Sequence, residues 1–200
     1  MMRRIAATAA ACALAVLCAA CSSSPSHLYT LSRSATAPAN ANEGLADLSV
    51  LVGPVSIPAI VDTPQIVVSK GPNQVSRDEF NRWASPLQNN ISRVVVDNLA
   101  SMLGTSRVSL AQQPLNADAD YRVGIDVQAF DSVPGEAATL SAIWSVRRTK
   151  DDKTQAGRTA VREPTTGQGY DALVAAHSRA LIRLSQDIAD AIRVLARAAQ

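Results

Sequence analysis

The sequence has few of the residues from which catalytic and metal sites are built. It holds three cysteines and two histidines among 200 residues. All three cysteines fall within the first 21 positions, so residues 22–200 can form neither an internal disulfide nor a cysteine-based metal cluster. Core packing alone must therefore stabilise the folded chain.

The motifs of hydrolases and nucleotide-binding enzymes are also missing. The sequence contains no Gly-x-Ser-x-Gly turn, no His-Glu-x-x-His pair and no glycine-rich phosphate loop. His27 stands near the N-terminus, and His177 lies in an apolar stripe, where a histidine is usually a core or interface residue. Asp118, Asp120 and Asp126 alternate with strand residues and lack the calcium-loop pattern. We therefore predict a non-enzymatic protein with no catalytic residue, no cofactor and no metal site.

The chain also lacks a strong excess of basic charge. Lys and Arg number 19 against 17 Asp and Glu, and Arg3 and Arg4 belong to the N-terminal leader described next. A chain with balanced charge is a poor candidate for nucleic-acid binding, which needs a basic stripe. We expect no nucleic-acid partner.

One long apolar run is present, and it lies at the N-terminus. Ile5–Ala20 follows a basic start and has 16 residues, fewer than the roughly 20 that a membrane-spanning helix needs. A basic start, a short apolar run and small residues at its end predict a secretory signal peptide over residues 1–20. About 180 residues remain, which is enough for one domain with a sizeable core.

The cysteine that follows this run has the surroundings of a lipid-attachment site. Cys21 comes directly after Ala19 and Ala20. This arrangement resembles a bacterial lipobox, which implies that Cys21 is acylated and becomes the new N-terminus. Cys18 stands where such motifs usually carry Leu. Ordinary cleavage that leaves a free thiol is the alternative.

Composition divides the remaining chain into a tether at residues 21–47 and one domain at residues 48–200. The stretch Ser32–Asp47 is rich in Ala, Ser, Thr, Pro and Asn and has no apolar period, which favours a flexible linker. His27–Leu31 interrupts the tether with a short, partly alternating pattern. It predicts either a small strand docked on the domain or an isolated patch near the anchor.

The domain shows the period-two alternation of β-strands. Strands are expected first at Leu48–Ile57, where Gly53-Pro54 marks a bulge or an edge, and then at Gln65–Ser69. Gln74 and Val75 predict a brief strand before the chain approaches a helix. Further strands are expected at residues 107–111, 121–130, 140–147 and 159–163. The last three have one largely polar face and predict an antiparallel meander covered on one side only.

Two amphipathic helices are expected to cover this sheet. The first has a capping box formed by Ser85 and Gln88, with Pro86 in its first turn, and ends at Gly104. The second starts near Tyr170 and continues almost to the end of the chain, far enough to extend past the sheet and contact another subunit. We predict an α+β fold: an antiparallel or mixed β-sheet with two long amphipathic helices packed on one face.

Several stretches in the first half of the chain resemble a known family. They are Tyr29-Thr30-Leu31 shortly after Cys21, Ile57–Val67, Phe80–Leu87 and the helical run Ile91–Leu103. Together they are similar to the ABC-type transport auxiliary lipoproteins, the PqiC-like group. Thr63 and Asn81 depart from the family's pattern, in which basic residues are usual. The second half of the chain resembles the family only in its order of sheet and long helix.

The resemblance implies an outer-membrane lipoprotein whose domain faces the periplasm. Such proteins work with MCE-domain proteins and with ABC transporter or permease components, and they are thought to help move phospholipids or other hydrophobic molecules between the two membranes and to support envelope integrity. Ser22 agrees with outer-membrane sorting, since Asp there would favour retention in the inner membrane. A ring-like homo-oligomer that caps an MCE tunnel is a further expectation. The alternative is a stand-alone lipoprotein that binds an envelope polymer or assists outer-membrane assembly.

The family-motif residues of this chain are expected to do structural work. Asp62 can bond its own backbone and fix a turn, and Pro64 biases Thr63 toward an extended conformation. Trp83 can bury a large area against the sheet. The full set is Asp62, Pro64, Gln65, Trp83, Pro86 and Leu87.

Overall fold

A computed structural model describes residues 25–34, 45–111 and 118–198, and these residues form two β-sheets and two long helices. The strands and helices, in chain order, are β1 His27–Tyr29, β2 Val50–Ser56, β3 Gln65–Gly71, β4 Gln74–Trp83, α1 Leu87–Leu103, β5 Val108–Leu110, β6 Tyr121–Val133, β7 Ala137–Arg148, β8 Thr154–Pro164 and α2 Gly169–Arg197. The predicted α+β class is confirmed.

The large sheet has five strands in the order β5-β2-β6-β7-β8. Strand β2 runs parallel to both of its neighbours, whereas β6, β7 and β8 form the antiparallel meander that the alternating residues predict. The sheet is therefore mixed. Strand β8 begins at Thr154, earlier than the expected start at Thr159, because its pairing with β7 continues to the turn between them.

The bulge expected at Gly53-Pro54 is present. The pairing of β2 with β6 shifts register between Val52 and Val55. Gly53 has a φ of 135°, and a Cβ added there would approach the Cβ of Ala111 to 2.9 Å. A glycine is required at this position because both the backbone conformation and the close contact exclude a side chain. The bulge lies in the interior of the sheet, since β2 has a neighbour on each side.

Both helices pack on the same face of the large sheet. Helix α2 contacts β7 and β8, helix α1 contacts β2 and β5, and the two helices contact each other. The apolar stripe of α1 is buried at Leu87, Ile91, Val95, Leu99 and Leu103, and that of α2 at Leu173, Leu181, Leu184, Ile188 and Ile192. The opposite face of the sheet carries exposed residues such as Asp126 and Arg158, so the sheet is covered on one side as predicted.

The start of α1 differs from the predicted capping box. Pro86 occupies the N-cap position, and no side chain caps the helix. The amide nitrogen of Gln88 instead donates to the backbone carbonyl of Val55 in β2, so this side chain is held against the sheet rather than closing a box with Ser85. At the other end Gly104 adopts the left-handed conformation with a φ of 69° and ends the helix as predicted.

The small sheet has three strands in the order β1-β4-β3. Strand β4 is one strand of ten residues rather than the predicted brief strand followed by an approach to the helix. The carboxylate of Asp78 accepts the backbone N–H groups of Phe80 at 2.9 Å and Asn81 at 2.8 Å. Because of this local turn, β4 has more residues than β3 between two of their paired positions. The strand continues on both sides of this irregularity.

The end of α2 is held by its own subunit, contrary to the expected projection. Arg148 donates to the carbonyl oxygen of Leu195 and pairs with Asp151 at 2.6 Å. Arg193 donates to the carbonyl oxygen of Met102 at 2.7 Å. Cations beside the last carbonyls of a helix satisfy groups that have no partner within the helix. The described part of α2 is therefore docked along its whole length.

Candidate functional site

Residues 27–34, here called the N-terminal strap, lie on the domain. Its first part is β1, which pairs in parallel with β4 so that His27 and Tyr29 stand opposite Asn81 and Trp83. The carbonyl of Tyr29 accepts the N–H of Ala84 at 2.8 Å. The sequence-based alternative of a docked strand is therefore confirmed, and the strap lies within the segment expected to be a tether. The domain boundaries themselves stay a prediction.

Beyond β1 the strap contacts both helices. Leu31 is buried in the core, with 5% of its surface exposed. After Leu31, the backbone N–H of Ser32 donates to Ser178 Oγ of α2 at 3.0 Å, and that of Ser34 donates to Asn98 Oδ1 of α1 at 2.8 Å. An extended segment outside a sheet needs such partners for its backbone groups. Polar side chains on the two helices thus bind the strap.

Two tyrosines join the strap to α2. The rings of Tyr29 and Tyr170 lie 5.9 Å apart, and the Tyr170 hydroxyl donates to Asp78 Oδ2 at 2.7 Å. Burial, together with the neighbouring carboxylate, raises the pKa of Tyr170. Burial alone would raise the pKa of Asp78, but its hydrogen bonds from Tyr170, Asn81 and Phe80 lower it. The pair is a neutral donor bound to an ionised acceptor, which ties β4 to the first turn of α2.

The family-motif residues meet beside the strap. The backbone N–H of Trp83 donates to the carbonyl of Pro64 at 2.8 Å. Its indole is buried, with 6% exposed, and lies edge-on to Phe130 at 6.3 Å. Leu87 is buried as well, whereas Pro86 is exposed at the helix cap. The motif stretches that are separate in sequence therefore form one structural unit around Trp83.

The turn before β3 is fixed differently from the prediction. The Asp62 side chain is exposed and makes no hydrogen bond to any residue that the structure describes. The turn is held by the N–H of Thr63, which donates to the carbonyl of Val61 at 2.9 Å. The Thr63 hydroxyl donates to Gln65 Oε1 at 2.6 Å. Thr63 thus supplies the local bonds expected of Asp62.

Exposed apolar side chains are concentrated on the small sheet. Six large apolar side chains of the described residues are exposed, and four of them lie on β1, on β4 or in the turn that leads into β3. These four are Leu28, Ile60, Val75 and Phe80. The other two, Ile143 and Val194, lie on the open face of the large sheet and near the end of α2.

Cys21 lies outside the described residues, so its acylation stays a prediction. The first described residue is Pro25, four positions later. Four residues of chain span at most about 14 Å, whatever their conformation. A lipid on Cys21 would therefore hold the edge of the domain at Pro25 close to the bilayer.

His177 is buried within the subunit. Its Nε2 lies 2.8 Å from Ser132 Oγ, and its ring stacks on Phe130 at 3.9 Å. Burial lowers the pKa of His177 to about 3, so the imidazole is neutral. The Nδ1 atom has no partner among the described residues, and only 1% of His177 and 3% of Ser132 are exposed. The pair resembles a nucleophile and its base, but it has no third group to orient it and no access for a substrate.

Sequence reasoning missed the polar residues that receive the strap. Asn98 is fully buried on α1, and its amide also donates to Ser185 Oγ of α2 at 3.3 Å. Asn90 accepts the hydroxyl of Thr30 at 3.3 Å. The sequence does place an amide among the apolar positions of α1. Because a buried Asn needs hydrogen-bond partners, this pattern could have indicated that another segment binds there. The sequence does not show that the partner is a segment more than 60 residues away.

None of the helices in the described part of the chain combines the length and apolar character that crossing a bilayer demands. Over the same residues, no three His, Cys, Asp or Glu side chains converge as ligands of a metal ion would.

Comparison with protein families gives one match that covers most of the chain. The model of the family described as the ABC-type transport auxiliary lipoprotein component matches residues 29–189. The matched region begins within β1 and includes both sheets and most of α2. A comparison with curated proteins finds no match.

Two crystal structures are similar to the chain over most of its length. One is an uncharacterized protein with a TM-score of 0.69 and 21% identity, which covers 84% of this chain and 99% of its own. The other is a protein from Xanthomonas campestris of the DUF330 family, with a TM-score of 0.67 and 21% identity, covering 86% of this chain and 96% of its own. These similarities show the fold.

Proposed function

Because the chain belongs to the family of ABC-type transport auxiliary lipoprotein components, we propose that it is the lipid-anchored accessory subunit of an ABC transporter that works with an MCE-domain protein. Its role is to help move phospholipid or other hydrophobic molecules between the two membranes and to support envelope integrity. The observation that carries this proposal is the family match over residues 29–189.

The anchor in this proposal is Cys21, acylated and held in the outer membrane. The signal-like residues 1–20, the small residues before Cys21 and Ser22 after it support this placement. Stable anchoring requires more than one acyl chain or a second membrane contact. The domain then faces the periplasm, where it can meet a complex rooted in the inner membrane.

The role is proposed to be non-enzymatic. Ser132 and His177 are the described pair nearest to a catalytic arrangement, and both are buried away from solvent. His177 also has a strongly lowered pKa, which makes it a poor proton acceptor near neutral pH. The features around the strap and Trp83 are packing and hydrogen bonds, which suit a protein that binds partners.

Co-purification from membranes tests this function. The full-length protein with a C-terminal affinity tag, expressed in its own bacterium and extracted in a mild detergent, is expected to retain an MCE-domain protein and ABC transporter components. These are identified by mass spectrometry and compared with the recovery on an unrelated tagged outer-membrane lipoprotein. If acylated bait is recovered intact and neither kind of component is enriched over that control, the proposed function is wrong.

A further inference from the structure

The outward face of the small sheet carries an apolar pair next to the expected anchor. Leu28 in β1 is 66% exposed and Phe80 in β4 is 48% exposed. We propose that this pair inserts into the interfacial region of the same leaflet that holds the acyl chains of Cys21, so that the small sheet is the bilayer-facing surface of the domain. This inference rests on the acylation proposed above and adds an orientation to it.

The pairing of β1 with β4 sets the face on which Leu28 lies. Tyr29 stands opposite Trp83, and its hydroxyl donates to Asn81 Oδ1 at 2.9 Å, so these side chains share the inner face. Successive side chains of a strand alternate between faces. Leu28, which pairs with Arg82, therefore lies on the outward face, and Phe80, which precedes the paired stretch of β4, is 48% exposed.

The length of chain between the anchor and the sheet selects the bilayer as the occupant. Pro25 is four residues after Cys21 and three before Leu28. At about 3.3–3.6 Å per residue, Leu28 lies at most about 25 Å of chain from the acylated residue, and the edge of the domain at Pro25 lies nearer still. An acylated protein with so short a connection cannot move this edge far from the lipid surface.

The direction of β1 supports the same orientation. Because β1 is parallel to β4, the chain that leads back from His27 toward Cys21 leaves the sheet on the side of Phe80 rather than on that of Trp83. Phe80 thus lies toward the end of the sheet from which this chain leaves. A Phe and a Leu beside an acyl chain would supply the second apolar contact that stable membrane attachment requires.

Val194 provides an exposed apolar position at the other end of the molecule. It is 53% exposed near the end of α2, whereas Tyr170, which contacts Tyr29 of the strap, lies in the first turn of the same helix. At about 1.5 Å per residue these two positions of α2 are about 36 Å apart. Val194 is about as exposed as Leu28 and Phe80, but it lies at the far end of α2 from the strap and therefore farther from the proposed anchor.

Site-directed spin labelling of the full-length acylated protein tests the orientation. Phe80→Cys, Leu28→Cys and Val194→Cys are each labelled after reconstitution into vesicles of phosphatidylethanolamine and phosphatidylglycerol. Cys21 does not react in the acylated protein because its sulfur carries the lipid. Labels at positions 80 and 28 are expected to be accessible to oxygen. A water-soluble nickel chelate should no longer enhance the relaxation of these two labels, because the bilayer shields them. The label at position 194 should remain open to the chelate.

Two results would overturn the proposal. The first is a label at position 80 that is as open to the chelate as that at position 194 in protein that floats with the vesicles. The second is shielding of position 80 in the vesicle-free Cys21→Ser protein that increases with concentration, which would assign the surface to a second copy of this chain. Flotation distinguishes a failure of the acylation from a failure of the bilayer-facing orientation. Protein that does not float overturns the acylation, whereas floated protein with an exposed label overturns only the bilayer-facing surface.

Discussion

At the scale of single residues, three contacting rings join the main parts of the molecule. Trp83 of the small sheet lies edge-on to Phe130 of the large sheet, and Phe130 stacks on His177 of α2. All three side chains are buried. A neutral imidazole can stack on a phenyl ring without burying a charge, whereas a charged one in this place would lose its hydration. His177 therefore makes stability dependent on pH.

We expect His177 to destabilise the fold as the pH falls. Burial lowers its folded-state pKa from 6.5 to about 3, so the unfolded chain binds a proton that the folded chain does not. Its contribution is fully present above pH 6.5 and is lost as the pH falls from there toward 3. The slope rises toward about 1.4 kcal/mol per pH unit below pH 6.5, so the loss between pH 6.5 and 5 is at most about 2 kcal/mol. Urea unfolding of the mature Cys21→Ser protein at these two pH values measures it.

His177→Gln should reduce this pH dependence, because an amide can replace the bond to Ser132 and carries no charge. His27→Gln is the matched control, since His27 is exposed, and it should leave the dependence unchanged. If His177→Gln and the unsubstituted protein lose the same free energy of unfolding between the two pH values, the buried histidine does not carry the effect.

At the scale of elements, the position of the strap determines how much chain separates Cys21 from the folded domain. It adds a parallel strand to the small sheet and then binds side chains of both helices. The connection from Cys21 to the domain is therefore much shorter than a tether over residues 21–47 would allow. A domain with a long tether samples many orientations, whereas one held four residues from its anchor samples few.

Asn98→Ala is expected to loosen the strap. The substitution removes the acceptor of the Ser34 N–H and the amide that donates to Ser185 Oγ, both at a fully buried position. Loss of a buried partner costs about 1–3 kcal/mol of unfolding free energy. Hydrogen exchange should become faster at the backbone amides of Ser32 and Ser34. The control is Asn89→Ala on the exposed side of the same helix, and equal effects of the two substitutions would show that Asn98 does not hold the strap.

At the scale of the whole molecule, the proposed acylation of Cys21 and the proposed bilayer-facing small sheet would together give the domain one orientation. Both helices lie on one face of the large sheet, and the small sheet, which carries the strap, closes around Trp83. In the proposed orientation, with the small sheet toward the lipid, the far end of α2 would point away from the membrane. The domain would then meet a proposed partner complex from a fixed side rather than at the end of a mobile linker.

Cys21→Ser should abolish the anchor without affecting the fold, because Cys21 precedes every described residue. The variant is expected to leave the membrane fraction or to remain unprocessed, and its intact mass should show no lipid. Cys18→Ser is the matched control and should still be acylated, since residue 18 lies in the expected signal peptide. Lipid mass on the Cys21→Ser protein in the outer-membrane fraction would contradict the assignment of the anchor.

The sequence by itself determined the features that depend on near neighbours along the chain. The apolar periods of α1, α2 and the β6–β8 meander are local, and so are the glycine that ends α1 and the expected leader before Cys21. These patterns were enough for the α+β class and, with the motif residues, for the family. They were not enough for the start of α1, because Gln88 is drawn to Val55, more than 30 residues away.

Only the tertiary structure decided where the strap lies, that β1 and β2 pair in parallel with distant strands, and that Leu28 and Phe80 are both exposed on the small sheet. It also decided that His177 is buried inside the subunit beside Ser132 rather than between subunits. The physical reason is the same in each case. Burial and pairing depend on residues 45 to about 150 positions apart, and short sequence periods carry information about which face of an element is apolar, not about what will cover it.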